Sequence, residues 1–173
     1  MNQAPFLLSA LDSKHNRNDF KSSSEALNHY LKHQVNQDIR RRVAGCFVAI
    51  HQDQRIAGYY TLASASVRLS DLPSSIGKKL PRYPSIPAVR MGRLAIDQEF
   101  EGKGLGSALL ADALAKAASS EIAAFALIVD TKDTQAARFY LHHGFIALPD
   151  SPLTLFLALA TLKTFKNDTQ KIK

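Results

Sequence analysis

A glycine-rich turn between a predicted strand and a predicted helix restricts the fold of this chain more than any other segment. Residues 101–107 read EGKGLGS, and an Ala/Leu-rich stretch predicts a helix over residues 105–119. Glycine lets the backbone turn tightly, and a helix N-terminus offers unpaired N–H groups and positive dipole potential. The pattern therefore predicts a site for a phosphate-bearing ligand. The motif GxxxxGK[ST] is absent. The turn also differs from GxGxxG, because Ser107 stands where the third glycine of that motif would be needed.

The order of the other predicted elements indicates an α/β domain. Ser22 followed by Glu25 is a capping-box pattern, and apolar residues at four-residue intervals predict an amphipathic helix over residues 22–42. A second helix, capped by Asp133 or Thr134, runs through His142. The predicted strands are residues 46–51 and 55–69, which form a hairpin, and residues 88–97, 123–129, 145–148 and 153–159.

Residues 70–87 form a long basic loop in this prediction. The segment contains four prolines and three cations, Lys78, Lys79 and Arg82. Loops longer than about 12–15 residues inside compact domains are usually functional or disordered. The segment is either a flap on the substrate side or a mobile surface connection, and the sequence leaves both interpretations open.

The length and the single cysteine limit the class of protein. A chain of 173 residues fits one domain, which we expect to span residues 1–162, followed by a basic tail over residues 163–173. Cys46, the one cysteine, excludes an internal disulfide and a cysteine-based zinc cage. The histidines lack metal-ligand spacing, so we expect no metal. No run approaches the roughly 20 apolar residues that span a bilayer, so we expect a cytoplasmic protein without membrane contact.

Two further motifs accompany the turn, and together they resemble the GNAT acetyltransferase superfamily. GRLAID (residues 92–97) precedes the turn, and AARFYLHHGF (residues 136–145) follows it. The resemblance covers nearly the whole chain. It implies a GNAT fold with a central mixed, mostly antiparallel sheet of six to seven strands, splayed between strands 4 and 5 and flanked by about four helices. It also implies acetyl-CoA as the acetyl donor.

The resemblance also assigns the residues that hold acetyl-CoA. Pantetheine and the thioester would contact the strand before the turn, and pyrophosphate would contact the turn's amides. Two positions depart from the superfamily's pattern: Glu101 stands where Gln or Arg is usual, and Asp133 where many relatives have Asn. A carboxylate near pyrophosphate is mildly repulsive, so we expect weaker cofactor binding. The implied cofactor-binding residues are Leu94, Ala95, Ile96, Lys103, Gly104, Leu105, Gly106, Ser107, Asp133 and Phe139.

A narrower resemblance is to the GNAT-type toxins of type II toxin–antitoxin modules, which acetylate the amino group of aminoacyl-tRNA. ALNHYL (26–31), GYYTL (58–62), LPRYPSIP (80–87) and RFY (138–140) carry it, together with GRLAID. It implies that Tyr140 is the general acid and that translation is inhibited. It further implies an antitoxin with a ribbon-helix-helix domain, contact with operator DNA only through that antitoxin, and a homodimer.

The residues themselves agree with an α-amino acceptor. Residues 88–96 contain no carboxylate, although superfamily members that acetylate lysine often have a base there. A lysine amine, with a pKa of about 10.4, needs a base at neutral pH, whereas an α-amino group, at about 7.7–8.0, is already partly deprotonated. Asp97 and Glu99 follow the strand and are candidates to act through water. The Tyr140 hydroxyl, with an ordinary pKa of about 10, stays protonated and can donate to a departing thiolate.

The net charge of +7 indicates a surface that attracts polyanions or an acidic protein. Arg90 and Arg93 fall on opposite faces of an ideal strand. For each basic residue an ion pair or a solvated surface position is the alternative to a functional contact. The candidate contacts to tRNA or the antitoxin are Arg40, Arg41, Arg42, Lys78, Lys79, Arg82, Arg90 and Arg93.

Two other functions stay open at this point. One is a GNAT N-acetyltransferase for a small-molecule or protein amine. The other is a GNAT-fold binding module without catalysis, which the departures at Glu101 and Asp133 motivate. For a catalytic protein, direct attack by the amine is favoured over a covalent acetyl-enzyme, because Cys46 lies far in sequence from the cofactor motifs.

Overall fold

The computed structural model describes residues 5–162 of the chain. Within that range it contains seven β-strands and five α-helical segments. None of the described helices is long and apolar enough to cross a membrane. The expected basic tail, residues 163–173, lies outside the described residues.

The elements are β1 (Phe6–Ala10), α1 (Glu25–His29), α2 (Val35–Arg40), β2 (Gly45–His51), β3 (Ile56–Arg68), α3 (Ser74–Gly77), β4 (Ser85–Ile96), α4 (Leu105–Ser119), β5 (Ala126–Asp130), α5 (Thr134–His142), β6 (Ile146–Leu148) and β7 (Ser151–Ala158).

The seven strands form a mixed sheet in the order β1-β2-β3-β4-β5-β7-β6. The β1–β2, β2–β3, β5–β7 and β6–β7 pairs are antiparallel. β4 and β5 are parallel, with Ala88 opposite Ala126 and Met91 opposite Val129. A mixed, mostly antiparallel sheet of seven strands with flanking helices confirms the predicted fold class.

The chain divides into two compact units. The first contains the residues up to 63 and residues 92–113, and the second contains residues 64–91 and those from 114 onward. β3 and β4 each contribute one part to each unit. Each unit has its own cluster of buried apolar side chains.

The first helix begins later than the sequence predicts. Its N-cap is Ser24, whose Oγ accepts a hydrogen bond from the Leu27 amide at 3.3 Å. Ser22, the predicted cap, is buried, and its Oγ donates to Asn28 Oδ1 at 2.7 Å. The predicted capping box is therefore wrong, because the Ser22 hydroxyl satisfies a buried amide side chain and not the helix terminus.

A π-helical turn, Tyr30–Gln34, joins α1 to α2. Apolar residues at four-residue intervals drift by about 40° per step around an α-helix of about 3.6 residues per turn. The wider π-helical turn offsets that drift, so that Leu31 and Val35 are both fully buried. Ile39, the last residue of the pattern, is 36% exposed. The sequence predicted one uninterrupted helix, and the π-helical interruption lies within the evenly spaced apolar pattern.

The hairpin of β2 and β3 forms as predicted and contributes to the core of the first unit. Gly58 pairs with Ala49 across the hairpin. A Cβ at Gly58 would lie 2.9 Å from both Ile96 Cδ1 and Leu109 Cδ1, and 3.1 Å from the Ala95 carbonyl oxygen. β4 and α4 therefore approach β3 as closely as a residue without a side chain permits.

The predicted uninterrupted loop over residues 70–87 is wrong. A 3₁₀ turn, Leu69–Asp71, leads into α3, and β4 already begins at Ser85. Leu72 is buried, and Ile76 and Leu80 pack against the apolar cluster of the second unit. These apolar side chains, spaced among prolines and lysines, hold the segment on the core. It is a packed part of the second unit and not a free-standing loop.

The helices α4 and α5 have the bounds that the sequence predicts. Asp133 is the N-cap of α5, and its Oδ1 accepts a hydrogen bond from the Ala136 amide at 2.8 Å. Gly144, with a φ of +88°, follows the helix in the left-handed conformation that favours glycine. β5 begins at Ala126, later than predicted, and β6 and β7 form the predicted last strand pair.

Substitution of Gly58 by alanine is expected to destabilise the protein. The new methyl group must displace the Ile96 or Leu109 side chain, and overpacking of this kind costs about 1–3 kcal/mol. Gly45→Ala, on the same hairpin, is a matched control, because the nearest atom to its Cβ would lie at 3.6 Å. Urea unfolding of both variants measures the difference. Equal losses of stability would contradict the close approach of β3 to β4 and α4.

Candidate active site

The backbone between β4 and α4 has the conformation that glycine favours. Asp97 begins a 3₁₀ turn, Gln98–Phe100, directly after β4. Gly102 and Gly104 follow with φ values of +74° and +78°. No atom lies within 4 Å of a Cβ built at either position. Backbone conformation and not crowding therefore requires glycine here, and the surface over the turn is open.

The N-terminus of α4 completes the turn. Leu105 is buried and anchors the first turn of the helix, and the Ala108 amide donates to the Gly104 carbonyl at 3.1 Å. The N-terminus of an α-helix is the end at which backbone amides point outward from the helix. A helix terminus beside an open, glycine-lined surface is the arrangement that binds a phosphate group.

Two cations lie beside this turn. Phe100 is buried, with the Arg55 guanidinium carbon 4.9 Å and Lys103 Nζ 5.6 Å from the centroid of its ring. Arg55 pairs with two carboxylates, Asp53 and Glu99, which offset its charge. The sequence patterns indicate neither residue: Arg55 is distant from the turn in sequence, and Phe100, although it directly precedes the turn, belongs to no motif. The open backbone and the N-terminus of α4 fit the pyrophosphate of a CoA thioester.

The end of β4 leads directly to this turn. Ala95 is buried, and Leu94 and Ile96 are half-buried. These predicted cofactor contacts lie at the end of the strand and share the first unit with residues 103–107.

Asp97 and Glu99, the carboxylates considered as bases, both have structural partners. Asp97 is 7% exposed, and its carboxylate oxygens accept hydrogen bonds from the Lys21 and Glu99 amides, both at 2.9 Å. The Glu99 carboxylate pairs with Arg55. The hypothesis that either one acts as a base through water gains no support from this arrangement.

Tyr140 lies on the buried face of α5 in the second unit. It is 9% exposed, and its ring meets the rings of Phe139 and Phe145 edge-on, with centroids 5.0 and 5.4 Å away. Burial raises the pKa of Tyr140 to about 12, so the hydroxyl is protonated throughout the physiological range. In the part of the chain that the structure describes, this hydroxyl has no hydrogen-bond partner. Its proton is therefore available to a ligand.

The two other candidates on and before α5 have contacts within that segment. Asp133 serves as the N-cap, a role that Asn fills equally well. The acid at this position therefore has a structural explanation. Phe139 is half-buried and lies 4.6 Å from the His143 ring, whose Nδ1 is 2.8 Å from the Phe139 carbonyl oxygen.

The two strand arginines contact other side chains. The Arg93 guanidinium carbon lies 3.5 Å from the centroid of the Tyr30 ring, and the Tyr30 hydroxyl donates to Asp38 at 2.7 Å. Arg90 Nε lies 3.3 Å from Asp130 Oδ2. Both arginines thus have a partner within their own unit. An internal contact of this kind is the alternative to a tRNA or antitoxin contact that the sequence left open.

The remaining basic candidates lie at two places. Residues 40–42 are exposed at the end of α2 and just beyond it. In the second unit, Lys78 and Arg82 line a cavity of about 600 Å³, and Lys79 is exposed next to Lys78 in sequence.

Cys46 has the environment of a structural cysteine. It is 4% exposed in the apolar cluster of the first unit, and burial raises the pKa of its thiol to about 12. A thiol that stays protonated is a poor nucleophile. As for metals, no group of three or more His, Cys, Asp or Glu side chains within residues 5–162 could hold an ion.

Known proteins share this sequence pattern. Residues 10–145 match the model of the Acetyltransferase (GNAT) family. A protein of Mycobacterium tuberculosis named tRNA-acetylating toxin is 32% identical over 151 residues, which cover 86% of this chain and 89% of that protein. The similarity spans the glycine-rich turn and α5 together.

Solved structures share the fold. The structure of AtaT complexed with acetyl-methionyl-tRNAfMet is 28% identical, has a TM-score of 0.86 and covers 92% of this chain and 98% of its own. The structure of AtaTR bound with AcCoA is 27% identical, has a TM-score of 0.80 and covers 93% of this chain and 98% of its own. Both similarities extend over nearly the full length of each chain.

Asp97→Ala is expected to lower the free energy of unfolding by about 1–3 kcal/mol, because the substitution leaves buried backbone amides without an acceptor. Glu99→Gln is the matched control. Its side chain is 67% exposed, and loss of a surface ion pair costs about 0–1 kcal/mol. Chemical denaturation gives the stabilities, and acetyl transfer is compared at a temperature where both variants are folded. A loss of turnover in folded Asp97→Ala would reassign Asp97 to catalysis.

The Cys46 thiol is expected not to react with a thiol-specific reagent until the protein is denatured. The reason is its burial and its raised pKa. Cys46→Ala should keep wild-type turnover, which a steady-state acetyl-transfer assay measures. Loss of turnover in a folded Cys46→Ala protein would instead indicate a covalent acetyl-enzyme.

Proposed function

The chain belongs to the Acetyltransferase (GNAT) family, and from that membership we propose that it is a toxin that acetylates the α-amino group of aminoacyl-tRNA. It is an acetyl-CoA-dependent N-acetyltransferase, so the proposal concerns the acceptor, the biological effect and the partners. A tRNA-acetylating relative and a solved complex with acetylated tRNA support the acceptor. An acetylated amine is an amide that no longer attacks an ester, so the product would block translation.

We propose that acetyl-CoA is bound by the residues that the resemblance to the family implies. The cofactor supplies the activated acetyl group as a thioester. The open turn, the N-terminus of α4 and Lys103 support binding of its pyrophosphate at the turn. The proposed contacts are Leu94, Ala95, Ile96, Lys103, Gly104, Leu105, Gly106, Ser107, Asp133 and Phe139.

The proposal of an α-amino acceptor depends on one observation: the carboxylates that follow β4 already have structural partners. Residues 88–96 contain none, and Asp97 and Glu99 are held by backbone amides and by Arg55. A lysine side chain, with a pKa of about 10.4, would need a base that this segment does not offer. An α-amino group is partly deprotonated at neutral pH, and it can attack without one.

Tyr140 acts as the general acid in this proposal. The amine nitrogen forms a bond to the acetyl carbon, the bond between that carbon and sulfur breaks, and the Tyr140 hydroxyl donates its proton to the sulfur. The nitrogen gives up one proton, which returns to Tyr140 through water. The buried, protonated hydroxyl without a protein partner supports this role.

The partners in this proposal are an antitoxin of the ribbon-helix-helix type, operator DNA bound through that antitoxin, and a second copy of this chain. The reaction takes place in the cytoplasm, where aminoacyl-tRNA is present. The net charge of +7 and the exposed residues 40–42 support an acidic or RNA partner. An antitoxin tail over the basic surface would neutralise the enzyme.

Transfer of label from acetyl-CoA to a panel of acceptors tests the proposed function. The panel contains charged tRNA, uncharged tRNA, a polyamine and lysine-containing peptides. We expect label on charged tRNA alone, recovered as acetyl-amino acid after mild alkaline hydrolysis. Label on peptide or polyamine with none on tRNA would favour the other acceptor class. Failure to bind acetyl-CoA in calorimetry would indicate the non-catalytic module.

Tyr140→Phe is expected to lower kcat by about 10²-fold or more, the usual contribution of a general acid, with acetyl-CoA affinity unchanged. Tyr59→Phe is the matched control, because it also removes a buried tyrosine hydroxyl, one that donates to the Leu27 carbonyl at 2.7 Å. Its kcat should be that of the wild type. Equal kcat values for the two variants would leave Tyr140 with a packing role only.

A further inference from the structure

We propose that the cavity beside α3 in the second unit binds unpaired nucleotides next to the aminoacylated end of the tRNA. This inference rests on the proposed function, because the RNA it names is the proposed acceptor. It concerns residues other than those of the glycine-rich turn. The sequence left open whether RNA or the antitoxin contacts this basic segment. The proposal assigns the segment to RNA.

The cavity has the size of a small-molecule site. Its volume is about 600 Å³, within the range of about 300–1,000 Å³ that is typical of ligand pockets. The lining includes Arg68, Lys78, Arg82, Tyr83, Leu72 and Pro84. Cations, an aromatic ring and an apolar floor therefore meet in one cavity.

Three cations supply the attraction for phosphate. Lys78 and Arg82 are exposed. Arg68 is oriented by Asp71, with Arg68 Nε 3.2 Å from Asp71 Oδ2, while its side chain stays 75% exposed. Asp71 offsets one of the three charges, and no acidic side chain lines the cavity in the described part of the chain. The cavity therefore carries a net positive charge.

Tyr83 supplies the surface for a base. It is 65% exposed, an unusual position for a large aromatic side chain in this protein, since Tyr30, Tyr59 and Tyr60 are buried. An exposed aromatic ring beside a basic groove is the arrangement by which proteins bind single-stranded RNA, because a base stacks on the ring while cations neutralise the backbone. An acidic peptide would use the cations and leave the ring without a role.

The cavity is held in shape by the segment that forms it. The Leu69 amide donates to the Pro84 carbonyl at 3.1 Å and closes the base of the segment. Leu72 is buried, and Ile76 and Leu80 pack on the core. The apolar face of the segment fixes it to the protein while the opposite face presents the cations. Little ordering of the backbone is then needed on binding.

Binding of a fluorescein-labelled single-stranded RNA that ends in CCA, measured by anisotropy over a series of salt concentrations, tests the proposal. Lys78→Ala should reduce the slope of log affinity against log salt by about 0.7, the contribution of one phosphate contact in a single strand. Lys14→Ala is the control, because Lys14 is an exposed lysine that does not line the cavity. It should leave the slope unchanged. Equal effects of the two substitutions would overturn the proposal.

The Tyr83 ring is tested with two variants. Tyr83→Ala should weaken binding of the RNA about fivefold or more, the effect of losing one stacked base. Tyr83→Phe keeps the ring and should bind as the wild type does. Circular dichroism checks that both variants are folded. An acidic peptide that binds as tightly as the RNA, with no dependence on the ring, would identify a peptide surface and refute the RNA assignment.

Acetylation kinetics separate this inference from the proposed function. Tyr83→Ala and Lys78→Ala should raise KM for charged tRNA and leave KM unchanged for puromycin, an α-amine acceptor that lacks the preceding nucleotides. If the tRNA KM does not change, the inference fails and the proposed function stands. If the wild type acetylates no α-amine but RNA binding still depends on Lys78 and Tyr83, the nucleotide site stands and the proposed function fails.

Discussion

The hydrogen bonds to the Asp97 carboxylate fix the point on which the cofactor surface depends. Its oxygens accept the Lys21 and Glu99 amides, and the Asp97 amide itself donates to the Ala57 carbonyl at 2.8 Å. These bonds tie the N-terminal segment, β3 and the end of β4 together. Because β4 ends at a defined place, the backbone can turn at the glycines and α4 can start with its amides on the open side. A carboxylate used in this way is unavailable for proton transfer.

The sequence predicted correctly those elements whose bounds depend on interactions between residues close in sequence. The bounds of α4 and the Asp133 cap of α5 agree with the structure, because helix periodicity and capping act over a few residues. The Ser22 cap was wrong because a buried partner, Asn28, competes for its hydroxyl. Residues 70–87 were predicted to be a loop because prolines interrupt the spacing of the apolar residues that pack on the core. Both errors arise from tertiary contacts, which the sequence pattern does not record.

The same distinction applies to the candidate site. The turn, Tyr140 and the absence of a carboxylate in residues 88–96 were readable from the sequence, because motif spacing carries them. Arg55 was not, since it reaches the turn only through the fold, and Phe100, which directly precedes the turn, belongs to no motif. The structure was also needed to learn which arginines have partners within the chain: Arg93 lies on the Tyr30 ring, and Arg90 pairs with Asp130. Of the basic residues that the sequence singled out, those that stay exposed lie at residues 40–42 and in the segment beside α3.

The burial of Cys46 has a consequence for how the activity can be controlled. Cys46 and Met91 are the sulfur-containing residues within the described range, and both are buried, at 4% and 3% exposure. Thiol oxidation requires an accessible thiolate, and methionine oxidation requires contact with the oxidant. Peroxide in a stressed cell would therefore leave these side chains in their reduced form. Oxidation of these two side chains is therefore not a means by which the folded enzyme would be controlled.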